Sequence, residues 1–352
     1  MKKLAIIGCG GIGSYHLGHF LQFKDLVELA GWCDLIPERA EAFKEKAGCG
    51  EAYTDYKTML DEVKPDMVFV CVPPYCHGEI EFDLIERGIH FFVEKPLALD
   101  LALARKIRDA AEAKGLITAS GFQCRYADQI VQPAKKFCED NSVLFVECSR
   151  IGGVPEVDWW RKKSLSGGQA AEQTIHQFDI IRYLIGDPVE VFTYNARGFI
   201  TEEEWPGYDT DDLSVTACKF ANGALCVIST GCYATSGNSF DSKITFSTRD
   251  KRMEHKILGT TVIYGEAAAP QEENGGFVVK GDGALTAGGE AITYRHHGDS
   301  GIQCDRTFIE AVITGDPSKI RSSYRDAFKS VSFTLACNKS METGLPVKVE
   351  LE

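Results

Sequence analysis

Short continuous apolar runs alternate with longer amphipathic stretches through the first third of the chain. Residues 3–7, 27–33, 66–72, 90–94 and 117–121 are apolar throughout or nearly so, and turn residues bound them. Runs of that length read as strands buried on both faces. Between them, residues 14–23, a stretch ending near 63, residues 78–87 and residues 99–114 carry apolar side chains at helical spacing. Strand and helix in strict alternation predict an α/β fold, a doubly wound Rossmann sheet that binds ligands beyond the carboxyl ends of its strands. From about Phe122 the pattern changes. Residues 142–151, 189–199, 213–220, 224–232 and 242–247 are rich in β-branched and aromatic residues, and Asn222-Gly223 between two of them signals a hairpin. Helical spacing returns at 302–314 and 324–341. The expected organisation is a dinucleotide-binding domain over 1–121 and an α+β domain over 122–352 with a large, mostly antiparallel sheet. Gly265 to Gly289, rich in Gly, Ala and Glu, reads as mobile loops.

Composition narrows the partners. The 352 residues carry 51 acidic and 38 basic side chains, a formal charge of −13. Such a balance disfavours nucleic acid and anionic membrane as partners. No apolar run is long enough to span a bilayer. None of the 13 cysteines forms a C-x-x-C pair, and most lie in apolar runs, as Cys71 does within Val68-Phe69-Val70-Cys71-Val72. They read as buried thiols in a reducing, cytoplasmic setting, and no zinc or other metal site is expected.

The chemistry begins at the first turn. Gly8-Cys9-Gly10-Gly11-Ile12-Gly13 stands between a strand and a helix. Gly8 permits the tight turn, Gly10 lets backbone approach a pyrophosphate, and Gly13 lets the helix pack closely, with its N-terminus toward the phosphates. Asp34 ends the second strand 21 residues after Gly13, where a ribose-binding carboxylate belongs. It would repel a 2′-phosphate, so NAD is expected over NADP. Pro73 and His77, at the carboxyl end of the next buried strand, border the place a nicotinamide would occupy, although a loop or cap role fits His77 equally well.

Glu94-Lys95-Pro96 follows the fifth strand. Together with the glycine motif, with Ser166-Gly167-Gly168, Glu172-Gln173-Thr174-Ile175-His176 and Asp179, and with Ala336 through Ser340 to Gly344-Leu345-Pro346-Val347, it resembles the Gfo/Idh/MocA oxidoreductases. That resemblance spans nearly the whole chain. It implies an NAD-dependent dehydrogenase acting on a secondary alcohol of a sugar, cyclitol or sugar derivative, with Glu94 and Lys95 near the cofactor and a cis bond before Pro96. Lys95 would bind the reacting hydroxyl and stabilise its developing charge, a role suited to a lysine that loses solvation between proline and strand. His176 would take the hydroxyl proton, as an imidazole titrating near neutrality can. Glu172 would orient it or hold a neighbouring hydroxyl. Relatives of the inositol-dehydrogenase kind carry aspartate where Glu172 stands, so contacts at the ring differ by one methylene. Glu172, His176 and Asp179 fall on one face if the segment is a single helix. Gln123, Arg125 and Trp160 are further candidates for the substrate pocket. The resemblance also implies a homodimer or homotetramer built on the open face of the second sheet. Two other readings share this fold: a glycosidase that oxidises its substrate transiently with tightly held NAD, and a non-catalytic NAD or sugar sensor, against which the presence of both Lys95 and His176 argues.

Overall fold

The computed structural model describes residues 1–235, 241–265 and 291–352. The first sheet is fully parallel, with strands β1 (Lys2–Ile7), β2 (Val27–Cys33), β3 (Glu51–Tyr53), β4 (Met67–Val70), β5 (His90–Val93) and β6 (Thr118–Ser120) in the order β3-β2-β1-β4-β5-β6. Side chains alternate across it. Leu4 and Ile6 join one core, while Ala5 and Ile7 join the other. Helices α1 (Gly11–Phe20) and α2 (Pro37–Ala47) cover the first face. Helices α3 (Tyr56–Val63), α4 (Glu79–Arg87) and α5 (Leu101–Ala113) cover the second. Local chemistry sets their ends. Pro37 opens α2, and Asp55 and Asp100 accept the Thr58 and Leu103 amides as N-caps of α3 and α5. Two boundaries differ from the sequence expectation. Helix α1 starts inside the glycine motif rather than at Ser14, because residues without Cβ allow the first turn to form there. The stretch that ends near 63 becomes helical only at Tyr56, after the short edge strand β3 that closes at Tyr53.

Each face of this sheet is completed from the far end of the chain. Helix α10 (Ser300–Thr314) brings Cys304, Phe308, Ile309 and Val312 against Leu4, Ile6, Phe20 and Phe69. The first half of α11 (Tyr324–Thr343) brings Tyr324, Ala327, Phe328 and Val331 against the opposite core.

The second sheet contains β7 (Phe145–Ile151), β8 (Pro188–Ala196), β9 (Leu213–Phe220), β10 (Leu225–Gly231), β11 (Asp241–Ser247), β12 (Arg252–His255), β13 (Thr260–Tyr264), β14 (Ile292–Arg295) and β15 (Val347–Lys348). All its ladders are antiparallel except the central pair of β7 and β10. Its inner face packs Val146, Cys148, Ile228, Ile244 and Phe246 against α6 (Asp128–Asp140), α9 (Ile175–Ile185) and α11. Helix α6 was not among the expected elements. Its Pro133 interrupts the helical hydrogen bonds, but Ile130, Val131, Ala134 and Phe137 still bury one stripe. The reading of Gly265 to Gly289 as loops falls, after Gly265, outside the described residues. Among the described residues no helix is long and apolar enough to cross a membrane.

Two short helices, α7 (Lys163–Ser166) and α8 (Gly168–Glu172), precede α9. The single helix expected through Glu172, His176 and Asp179 is therefore broken at Gln173 and Thr174. The Thr174 hydroxyl bonds Thr230 of β10 and anchors the break to the sheet.

Candidate active site

The glycine motif is shaped by close approach. Gly8 sits at φ +101°, and a Cβ there would lie 2.3 Å from the Cys71 carbonyl oxygen at the end of β4. A Cβ on Gly13 would lie 2.2 Å from the Gly8 carbonyl oxygen, so α1 is pressed onto the loop. At Gly10 and Gly11 the same test meets nothing within 4 Å. The open space lies at the start of α1, where first-turn amides lack intrahelical partners and attract phosphate. Asp34 closes the mouth. Its Oδ2 accepts the Cys9 amide at 2.8 Å and its Oδ1 the Ile36 amide at 2.9 Å. Arg39 stays 3.9 Å from that carboxylate and half-exposed. A tight glycine cradle with a fixed acid at its rim fits a dinucleotide, whose pyrophosphate would be held by Gly8, Gly10, Gly11, Ile12 and Gly13 and whose adenosine ribose by Asp34.

The second group assembles where β5 ends and α8 stops. The Lys95–Pro96 bond is cis. Lys95 Nζ donates to Glu172 Oε1 at 2.6 Å and to the Glu172 carbonyl at 3.1 Å. Glu172 Oε2 accepts from Trp160 Nε1 at 2.8 Å and Gln173 Nε2 at 2.6 Å. Burial favours the neutral carboxyl, but Lys95 and these donors outweigh it and hold Glu172 below the usual carboxylate range. His176 is one turn further on. Burial, and then the Lys95 cation, push its imidazole down to about 4, well below the near-neutral value expected from sequence. It is therefore neutral at physiological pH. Its Nδ1 is buried without a partner among the described residues, and the ring meets Phe122 edge-on at 6.0 Å.

Sequence reasoning missed His16, His19 and Asp305, which hold this turn together with Glu94. Glu94 faces inward. Its Oε1 lies 3.0 Å from His16 Nε2, its Oε2 accepts the Lys95 amide at 3.1 Å, and a Cβ on Gly121 would collide with it at 2.1 Å. His16 Nδ1 and His19 Nδ1 both reach Asp305 Oδ2, at 2.8 and 2.6 Å, and His19 Nε2 reaches Asp299 at 3.0 Å. Two histidines spaced i, i+3 after the glycine motif were the available signal, but their acids lie on α10, nearly 300 residues away. Ligand atoms of His16, His19 and Asp305 lie within 4.8 Å of one another, a metal-like grouping. Their contacts, however, have hydrogen-bond lengths. Burial alone would depress His16, yet Asp305 and Glu94 carry it up to about 10, which holds the imidazole protonated between two carboxylates. A folded-state pKa above the ordinary 6.5 contributes stability that is complete below pH 6.5 and is lost as pH rises through about 10. Asp305→Asn should therefore lower the melting temperature markedly at pH 6.5 and much less at pH 10.5. An equal loss at both values, by differential scanning fluorimetry, would contradict a charged His16.

Several expected site residues are placed differently. Arg125 does not line a pocket. Its Nη2 and Nε bind both Asp179 oxygens at 2.5 and 2.8 Å, it pairs with Asp326, and the side chain is buried. It ties the start of α6 to α9 and α11, and Asp179 serves this pair rather than the cleft. Trp160 is fully buried and acts through its bond to Glu172. Glu94 is occupied by His16 and the Lys95 amide and supports the turn. His77 is buried, with Nδ1 on Glu81 Oε1 at 2.7 Å and Nε2 without a partner among the described residues. Gln123 is half-buried in the turn after β6, and Pro73 half-buried after β4. Arg150 was not singled out. It projects from β7 and donates to Gln173 Oε1 at 2.7 Å, within the field of Glu172 and His176.

Known proteins share parts of this sequence and its fold. Residues 2–122 match a family described as "Oxidoreductase family, NAD-binding Rossmann fold", and residues 142–264 match the "GFO/IDH/MocA C-terminal domain". The chain is 27% identical to myo-inositol 2-dehydrogenase of Thermotoga maritima, over 99% of this chain and 98% of that protein. It is 30% identical to D-glucoside 3-dehydrogenase of Escherichia coli, over 63% of this chain and 68% of that protein. A solved levoglucosan dehydrogenase, in complex with NADH, has the same fold, with a TM-score of 0.82 at 19% identity and complete coverage of both chains.

Proposed function

From the premise that this chain belongs to the GFO/IDH/MocA family of NAD-binding oxidoreductases, we propose that it oxidises a secondary alcohol on a sugar or cyclitol ring, with Lys95 and His176 touching the reacting hydroxyl. The observation that carries this reading is the ammonium of Lys95, held 2.6 Å from Glu172 beside a neutral imidazole at the carboxyl end of β5. Two of the three Lys95 N–H bonds are taken by Glu172, and the third has no partner among the described residues and can meet a substrate oxygen. That donor stabilises the charge developing on the oxygen as its proton leaves. His176, neutral and partly exposed, takes the proton. Its low basicity favours passing that proton on to water, which resets the base. Glu172 orients Lys95 and, being one methylene longer than aspartate, brings its carboxylate up to that ammonium. When bound, NAD supplies the hydride acceptor at the reacting carbon.

A screen at 340 nm with NAD and NADP, against neutral sugars, cyclitols and their phosphates, should show NADH formation with an unphosphorylated ring. Release of an aglycone without NADH would overturn dehydrogenation in favour of transient oxidation and elimination.

A homodimer or homotetramer is also proposed. Tyr194 is 71% exposed and Leu225 54% exposed, and Phe145 and Val215 join them on the outer face of β7–β10. An apolar area of that kind favours coverage by a second copy. Light scattering at micromolar concentration should give a multiple of 38.7 kDa, and the monomer mass would refute it. All thirteen cysteines are free thiols, which supports a reducing, cytoplasmic setting. Secretion in disulfide-bonded form would overturn that.

A further inference from the structure

We propose that Arg150 is a positioning residue for the reaction: through the side-chain amide of Gln173 it fixes the second oxygen of Glu172, and with it the carboxylate that holds Lys95. This role rests on the dehydrogenase reading above and adds to it a residue that acts from the second sheet rather than from the cleft.

Arg150 lies on the inner face of β7, in step with Val146 and Cys148. Its direct neighbours across the sheet are Thr230 of β10 and Ser242 of β11. The segment at the break between α8 and α9 rests on this row of three side chains. Gln173 Oε1 accepts from Arg150 Nη2 at 2.7 Å, the Thr174 hydroxyl meets that of Thr230, and Gln177 Nε2 donates to Ser242 Oγ at 3.3 Å. His176 belongs to the same turn, so the row that seats Gln173 also seats the base.

From Gln173 the bonds run directly to the catalytic lysine. Its Nε2 donates to Glu172 Oε2 at 2.6 Å, and Glu172 Oε1 accepts from Lys95 at 2.6 Å. Trp160 gives Oε2 a second donor at 2.8 Å, but that indole is fully buried and held by packing. The Gln173 amide has no such support. It stands half-buried where α8 ends, on a flexible stem. Turned over, it would aim its oxygen at the Glu172 carboxylate. Arg150 forbids that orientation, because a guanidinium carries only donors and a turned amide would set N–H against N–H. Among the described residues the Arg150 side chain has no carboxylate partner and bonds this amide oxygen alone. Its charge also bears on His176, alongside Lys95 and against Glu94 and Glu172.

The test is a double-mutant cycle on kcat/KM, run with the best substrate of the 340 nm screen. Arg150→Met and Gln173→Leu should each lower kcat/KM about tenfold, as loss of one buried hydrogen bond to a charged group does. The loss should fall on kcat while NAD affinity holds. The double variant should be no worse than the poorer single one, because both cut the same chain of bonds. Gln173→Glu keeps an acceptor for Arg150 but offers ionised Glu172 no donor, so it should turn over no faster than Gln173→Leu. A merely structural contact would be restored by it. In parallel, acetylation of Lys95 by acetic anhydride, read by mass spectrometry against the other lysines of the same NAD-loaded protein, needs no turnover. Lys95 should label severalfold faster in Arg150→Met and in Gln173→Leu, as its carboxylate anchor loosens. Faster labelling in both variants, without NADH from any sugar in the wild type, keeps the positioning role and overturns the dehydrogenase reading. Losses that multiply in the double variant, recovery of the rate by Gln173→Glu, unchanged labelling of Lys95, or wild-type turnover in Arg150→Met overturns the positioning role and leaves the dehydrogenase reading in place.

Discussion

Lys95→Ala should lower kcat/KM by about 10³-fold while NAD affinity stays within about twofold. The first figure follows from removing a preorganised donor aimed at a developing oxyanion, a loss usually of about 10²–10³, compounded here by the effect on Glu172. That carboxylate is buried, and Lys95 is the first charge holding it ionised. Without the ammonium its proton becomes favoured, and the anchor of the cleft changes charge state. The second figure follows from position: the glycine cradle lies at β1 and α1, while Lys95 is spent on Glu172. The substitution also carries a signature that simple misfolding would not. The Lys95 cation is, after burial, the main influence depressing His176. Its removal should raise the His176 pKa, so the acid limb of the residual pH–rate profile moves to higher pH. Lys95→Arg should not restore the rate, because a planar fork cannot place three donors where one nitrogen did. Full turnover in Lys95→Ala, measured with the best substrate of the 340 nm screen, would remove this residue from the chemistry.

The alternation of apolar runs and amphipathic stretches made the first sheet legible, because strands buried on both faces leave little ambiguity between Leu4 and Ser120. The glycine motif and Asp34 were legible for a similar reason: each answers a local steric or electrostatic demand within one βαβ unit. What stayed hidden depends on long-range packing. Nothing near His16 in sequence announces Asp305, and nothing near the first sheet announces that Phe308 and Phe328 complete its two faces. Arg125 looked like a pocket residue because it follows a strand end. Its two acids come from α9 and α11, and only the fold brings them to it. The Glu172-to-His176 spacing suggested one helix, whereas Thr174 prefers a bond to Thr230 and breaks it. His176 itself was identified by its motif, but its basicity was not, since burial and a cation from β5 set that value together.

Gly13→Ala should weaken NAD binding by about 100-fold and lower the melting temperature, whereas Gly10→Ala should weaken binding without loss of stability. The contrast comes from what each new methyl would meet. At Gly13 it would lie 2.2 Å from the Gly8 carbonyl oxygen, a backbone atom that can move only if the loop or α1 moves. Such overpacking costs about 1–3 kcal/mol, and a tenfold change in affinity corresponds to about 1.4 kcal/mol, so a displaced loop accounts for both losses. At Gly10 the methyl meets nothing within 4 Å, and the residue holds an ordinary φ of −82°. The folded chain alone therefore accepts alanine there. Only a ligand whose phosphates lie against that backbone would be pushed away. Calorimetric titration with NAD alongside thermal melts separates the two cases. If Gly10→Ala bound NAD as well as the wild type does, the pyrophosphate would not lie over this turn. If Gly13→Ala kept both its affinity and its melting temperature, the close packing of α1 on the loop would not be what shapes the cradle.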